Sequence, residues 1–264
     1  MTRMALGIEY FGTNYSGWQK QKSTTKTVQE SLEDALSSIA DHNIEVVCSG
    51  RTDAGVHALS QIVHFDSDAK RLKKAWIQGT NSILPSDISV LWAKKVSEDF
   101  HARFSAINRT YKYIIVNRTQ DSILRSKRVM LVKEKINLEI MKDAASHLIG
   151  ENDFTSFRAS GCQSKTAMRN IKKINILKNK NTFTIEITGN AFLFNMVRII
   201  AGTLIKFATE EIDPIAMKKI LLSKDRRLSG KTAIAEGLYF IGAEYPDKFK
   251  LIRPPFRQQI IPYA

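Results

Sequence analysis

The spacing of apolar residues changes several times along the chain, from the alternation of strands to the three- and four-residue period of helices. Ala5-Leu-Gly-Ile-Glu-Tyr-Phe reads as a first strand, and residues 12–19 as a loop rich in turn formers whose Tyr15 and Trp18 suit either base stacking or a core edge. Val28, Leu32, Ala35, Leu36 and Ile39 then fall on one helical face behind a Thr27-Val-Gln-Glu capping box, which predicts a helix to about Ala40. Strands follow at 45–49 and 61–65. A helix around 70–83, with Leu72, Trp76 and Ile83 as apolar points, and a strand over 88–96 complete a βαββαβ order. That order predicts a ferredoxin-like sheet with helices on one face and the other face open to a ligand.

Residues 100–106 read as a connector, after which the strand 109–117 places Tyr111, Tyr113 and Ile115 on one face. A tyrosine on an open sheet face beside Arg109 and Lys112 suits stacking on an exposed base, and equally suits a half-buried core. A helix over 137–149, a loop over 150–161 and a hairpin of strands 168–177 and 182–188 follow. Residues 192–207 form a nearly all-apolar helix in which Asn195, Arg198, Gly202 and Lys206 make one narrow polar stripe. If that stripe faces solvent, Arg198 is an ordinary surface charge. If it faces a cleft, it needs a carboxylate partner, because an unpaired buried charge is very costly. Pro214 opens another helix to about Ser223, residues 236–243 lead into a last strand, and the tail from Tyr245 is expected to lie extended over the surface. The domain expectation is an N-terminal lobe, 1–104, and a C-terminal α+β lobe, 105–264.

Composition narrows the partners. With 40 basic against 26 acidic residues the 264-residue chain carries a net charge of +14, spread along its length, which points to a polyanion such as nucleic acid. Cys48 and Cys162 are the only cysteines, so a disulfide framework and Cys-rich zinc spacing are excluded and a reducing, cytoplasmic setting is expected. The N-terminal residues lack the apolar run of a signal peptide, and residues 191–207, the most apolar stretch, contain Arg198; neither export nor a membrane span is expected. The five histidines are scattered, and no P-loop or dinucleotide fingerprint is present, so the expected chemistry uses no metal and no cofactor.

The candidate chemistry lies in Gly50-Arg-Thr-Asp-Ala-Gly-Val-His-Ala, a polar loop between two apolar runs. Gly50 and Gly55 permit a sharp turn with Asp53 at its tip and Arg51 two residues earlier, where a converging guanidinium would keep the carboxylate ionised and oriented. Such a carboxylate is a candidate nucleophile or base. Thr-Asp-Ala-Gly equally suits a helix cap at Ala54 or an Asx-turn.

Together with Gly-Ile-Glu-Tyr at 7–10, Tyr-Ser-Gly-Trp-Gln at 15–19, Thr-Val-Gln-Glu at 27–30, Phe-His-Ala-Arg-Phe-Ser-Ala at 100–106, Asn-Asp-Phe-Thr-Ser-Phe-Arg at 152–158, Met-Val-Arg at 196–198 and Glu-Gly-Leu-Tyr at 236–239, this loop resembles the TruA family of tRNA pseudouridine synthases. The resemblance covers nearly the whole chain. It implies an α+β pseudouridine synthase fold of two ferredoxin-like, RRM-like lobes sharing an extended antiparallel sheet with a central cleft, a homodimer, and cofactor-free isomerisation of uridine in the tRNA anticodon stem-loop. It also implies roles: Asp53 as catalytic aspartate, Arg51 displacing and holding the target nucleotide, Tyr111 stacking on the uracil, Arg198 pairing with the aspartate, and Leu238 packing the other side of the base. Asn195 stands where a histidine is common and Ile234 where a proline is common. A non-catalytic RNA-binding protein and a uracil-releasing glycosidase are the competing readings.

Overall fold

The computed structural model describes residues 1–120 and 123–252; from residue 253 onward the tail expected to lie extended falls outside the described residues. Ten strands are present among them, β1 (Thr2–Tyr10), β2 (Val47–Cys48), β3 (His57–Ser67), β4 (Ile88–Lys95), β5 (Asn108–Asn117), β6 (Met130–Val132), β7 (Gly150–Asp153), β8 (Met168–Asn179), β9 (Thr182–Gly189) and β10 (Leu238–Glu244). The α-helices are α1 (Val28–Ala40), α2 (Thr80–Ile83), α3 (Leu138–Ser146), α4 (Met196–Thr209) and α5 (Ile215–Ser223). The fold is mixed α+β. Two compact units divide it: Met1–Arg109 together with the segment from Tyr239, and Thr110–Leu238.

In the first unit the strands lie in the order β4-β1-β3, with β2 on the far edge of β3, and every one of these pairs is antiparallel. This is the sheet that the βαββαβ order predicts. β10 joins the edge of β3 nearer its start, running parallel with Tyr239 opposite His57 and Phe240 opposite Ala58. α1 begins where the sequence places it: extended Thr27 accepts from the Glu30 amide at 3.3 Å. The reciprocal half of the capping box is not made, because the Thr27 amide donates to the Thr25 carbonyl at 3.0 Å instead.

The second helix differs from expectation. A π-helical turn, Ala75–Gly79, runs into the short α2. Trp76 alone of the three predicted apolar points is buried, at 5.2 Å from the Phe65 ring, while Leu72 and Ile83 are exposed. Leu72 precedes the helical segment, and beyond Trp76 the wider turn rotates the helical face, so a 3.6-residue period fails there.

The sheet face expected to be open is covered within this unit around His64. Phe100 packs edge-on to His64, and Tyr245 and Phe249 pack against Phe100. The Tyr245 hydroxyl donates to the Ala102 carbonyl at 2.5 Å, so the described part of the tail is anchored by the buried Tyr245 and Phe249, while Asp247, Lys248, Lys250 and Ile252 between and beyond them are exposed.

In the second unit β5, β9, β8 and β7 are neighbours in that order, and β6 pairs in parallel with β5. α3 packs on β8 and on α4 and α5. Asn137 caps α3, accepting from the Ile140 amide at 3.3 Å. β5 is buried on both faces, with Ile114 and Val116 covered as fully as Tyr113 and Ile115. The predicted loop over 150–161 contains β7 and a 3-10 turn, Thr155–Phe157, and its Phe154 and Phe157 rings are fully buried, which accounts for aromatics in an otherwise polar stretch.

Candidate active site

The Gly50–Ala58 loop is built by backbone contacts within the first unit. At its root the Ser49 hydroxyl donates to Gln61 Oε1 at 2.6 Å, and the Gln61 amide returns a bond to the Gly50 carbonyl at 2.5 Å. Arg109 clasps the same root from outside, its guanidinium donating to the Ser49 carbonyl at 3.2 and 3.3 Å. Further along, the Trp18 amide donates to the Thr52 carbonyl at 3.0 Å, and the Tyr10 and Thr52 hydroxyls bond at 2.7 Å. Trp18 is thereby core, packed on Tyr10, and not a base-stacking surface. Tyr15 is likewise engaged, its hydroxyl donating to Asp87, and burial together with that carboxylate raises its pKa.

Asp53 follows as the first residue of a β-turn closed by the Val56 amide on the Asp53 carbonyl at 3.2 Å, with Gly55 in the left-handed region at φ 80°. No helix begins at Ala54. The loop fits only because two distant positions lack side chains. A Cβ on Gly12 would stand 1.9 Å from the Val56 carbonyl oxygen, and one on Gly17, itself at φ 99°, 2.9 Å from that of Thr52. Of the two glycines read from the loop, Gly55 uses the left-handed region and Gly50 does not; Gly12 and Gly17 supply the close approach.

The outcome is a fixed backbone carrying a half-buried Asp53 side chain, with Arg51 and Ala54 exposed on either side. Cys48, just before the loop, is buried, which pushes its thiol up to about 12 despite the opposing fields of Arg51 and Arg103. It is a packing residue. His57 closes the loop, accepting from the Gly12 amide at 3.1 Å and packing against Phe11 and Tyr239.

Tyr111, Arg198 and Leu238 all belong to the second unit. Arg198, on the first turn of α4, donates from Nε to the Ala233 carbonyl at 2.8 Å and receives the Ala233 amide on its own carbonyl at 3.1 Å. A second guanidinium nitrogen donates to Asn195 Oδ1 at 2.9 Å. Asn195 sits in the left-handed region at φ 58°, a conformation asparagine adopts more readily than most residues, so the side chain at this departure from the family pattern is put to use.

The polar stripe of α4 therefore does not face solvent along its length. Segment 230–234 runs over it so closely that a Cβ on Gly202 would stand 1.9 Å from the Lys231 carbonyl oxygen. The Tyr113 hydroxyl donates to the Ile234 carbonyl at 2.9 Å, and Ile234 takes φ −58°, the angle a proline would impose. Gly237 abuts the Tyr113 ring, and Leu238 follows, buried. Arg198 and Tyr113 together thus fix the approach to Leu238. Tyr113 was read only as a strand residue; its hydroxyl contact is invisible to a periodicity argument.

Tyr111 is buried, its ring edge-on to Phe192 at 5.1 Å. Of the two readings left open for this tyrosine, a packed position is the one its ring surroundings show, and the two cations beside it have partners of their own. Arg109 is spent on carbonyls of the first unit, and Lys112 pairs with Glu186 at 3.2 Å. Among the described residues no group of three or more His, Cys, Asp or Glu side chains is placed to hold a metal ion, and no helix is long and apolar enough to cross a membrane.

A family model described as tRNA pseudouridine synthase matches residues 7–105 and 144–246, which include both the Asp53 loop and the Arg198–Leu238 segment. The chain belongs to the tRNA pseudouridine synthase family. Among the relatives of this chain is the tRNA pseudouridine synthase A of Alcanivorax borkumensis, 46% identical over 97% of this chain and 96% of the relative. The protein of the same name from Vibrio campbellii is 48% identical over 98% of each chain. That from Colwellia psychrerythraea is 48% identical over 94% of this chain and 96% of its own.

Proposed function

We propose that this chain isomerises uridine to pseudouridine in the anticodon stem-loop of tRNA, with Asp53 as the catalytic carboxylate. The observation that carries the reading is Asp53 itself, held half-buried on a rigid backbone beside an exposed arginine, in a chain of the pseudouridine synthase family. The reaction breaks the N1–C1′ bond, turns the base and joins C5 to C1′, with no net redox change. An ionised carboxylate serves this at C1′, by forming an ester, or at C2′, by removing a proton. The base must leave its stack first, because the glycosidic bond is otherwise inaccessible.

In this reading Arg51 holds the displaced nucleotide by its phosphate, Tyr111 and Leu238 contact the uracil, and Arg198 maintains Asp53 as the anion. The family resemblance supports these roles. The reading places the enzyme as a homodimer in the cytoplasm, where its tRNA is and where the thiols of Cys48 and Cys162 persist.

The experiment is tritium release from 5-tritiated uridine in tRNA. Asp53→Asn is expected to lower turnover by at least about a thousandfold while tRNA affinity stays within severalfold, a loss appropriate to a nucleophile or base. Normal turnover by the variant would refute the assignment, and free uracil in the supernatant would make the protein a glycosidase. Arg198→Leu is expected to lower kcat and move its acid limb to higher pH, because Asp53 loses a stabilising cation. An unshifted profile with an equal loss of tRNA affinity would remove Arg198 from that role.

A further inference from the structure

The motif Phe100-His-Ala-Arg-Phe-Ser-Ala has no part in the chemistry above, yet its geometry is peculiar. Phe104 is 75% exposed, in a protein whose largest buried side chains include seven phenylalanines. Burying such a ring is ordinarily favourable, and here the surrounding chain holds it out. The Arg103 and Phe104 amides both lie 3.2 Å from His101 Nδ1 and donate to it. The Ser105 amide donates to the His101 carbonyl at 2.9 Å, and the His101 amide to the Ser105 hydroxyl at 3.0 Å. The result is a closed, hydrogen-bonded turn with the ring at its tip.

One face of that ring lies on the His101 imidazole, with centroids 4.3 Å apart and planes at 33°, and the Arg103 guanidinium is 5.6 Å from its centroid. The turn is also tied to the catalytic loop. The Arg109 guanidinium that clasps the Ser49 carbonyl at 3.2 Å bonds the Arg103 carbonyl as well, and the Ala106 carbonyl at 3.1 Å. A single side chain therefore spans the root of the Asp53 loop and the root of the Phe104 turn. The fields of Arg51 and Arg103 both reach Cys48.

We infer that Phe104 is a base-stacking platform that receives an unpaired nucleobase of the substrate RNA, adjacent to the nucleotide presented to Asp53. A flat, exposed ring backed by an imidazole and flanked by the exposed Arg103 matches the pairing of π-face and backbone charge by which proteins hold single-stranded nucleic acid. Rigid attachment to the loop root makes Phe104 a positioning residue, setting the distance between the stacked base and the target. The inference rests on the tRNA reading above.

The test uses the full-length protein and an unmodified tRNA transcript, with Phe104→Ala, Phe104→Leu and Phe104→Trp measured for tritium release. Phe104→Ala and Phe104→Leu are expected to lose about tenfold or more in kcat/KM, the size of one lost base stack, and Phe104→Trp to stay within about threefold of the parent. In Phe104→Trp the new indole emission is expected to be quenched by added tRNA, whereas Trp18, Trp76 and Trp92 are buried. Equal activity of all three variants, or of Leu and Trp, overturns the inference. So does unquenched emission, or a change of sedimentation coefficient in Phe104→Ala with tRNA affinity unchanged, which would assign the ring to a second protein copy. If the parent itself releases no tritium, the tRNA reading falls with it; if the parent is active and the variants are too, only the platform falls.

Discussion

His64 is a buried imidazole whose ring neighbours are His101 and Phe100, with Nδ1 accepting from the Ala102 amide at 3.1 Å. Burial, with lesser contributions from His101 and Arg3 against an opposing one from Asp66, lowers its pKa to about 4. An unfolded imidazole takes its proton near about pH 6.5, so between those values the unfolded chain holds the extra proton. Stability is therefore expected to be level in this contribution above about pH 6.5 and to fall as pH drops toward about 4. The carboxylates of Asp66, Asp99 and Asp153, all lowered by their hydrogen-bonding partners, stay ionised through that window. Urea midpoints at about pH 7 and 5 check it: the parent should lose stability between them, and His64→Gln should lose distinctly less. At this scale the sequence was informative about identity and silent about surroundings. Asp53 and Arg51 stood out because glycines bracket them, but Gly12 and Gly17 do their work through contacts to residues far along the chain. Tyr111 was legible as a strand tyrosine; Phe192, which covers its edge, was not.

Elements whose faces are amphipathic were readable, and those whose faces are both covered were not. α1 shows its period because its outer face meets water, and its cap is a local hydrogen bond. Both faces of β5 are covered, so its alternation carried no information about which side was inward. α4 is the instructive case. The expected helix over 192–207 starts only at Met196, so Asn195 precedes the helix and only Arg198, Gly202 and Lys206 of the stripe lie on it. Small and charged residues look alike in a polar stripe, and only the packing separates Gly202, which admits the backbone of Lys231, from the Arg198 clasp. Gly202→Ala should therefore destabilise the protein by about 1–2 kcal/mol in urea unfolding, because an overpacking cost of up to about 3 kcal/mol against backbone outweighs a helix-propensity gain of about 1 kcal/mol. An unchanged or raised midpoint would mean that segment 230–234 yields easily.

For the molecule as a whole, 40 basic residues against 26 acidic ones make tRNA affinity steeply salt-dependent. Raising salt from about 50 to 200 mM should weaken tRNA binding at least about tenfold in a filter-binding titration, while Asp53→Asn leaves the slope unaltered. Charge was fully legible in the sequence, and so was the strand order of the first unit. The return of the chain to that unit was not, because a parallel pairing between β10 and β3 leaves no trace in local periodicity. That return has a consequence for biosynthesis. His57, which closes the catalytic loop, packs against Tyr239, and the two are separated by the whole of the second unit. At ~5–20 residues per second, on the order of ten seconds pass between the ribosome completing one and reaching the other. The nascent first unit therefore spends that interval with the edge of β3 beside the loop unpaired, and its last strand arrives only after the second unit has been made.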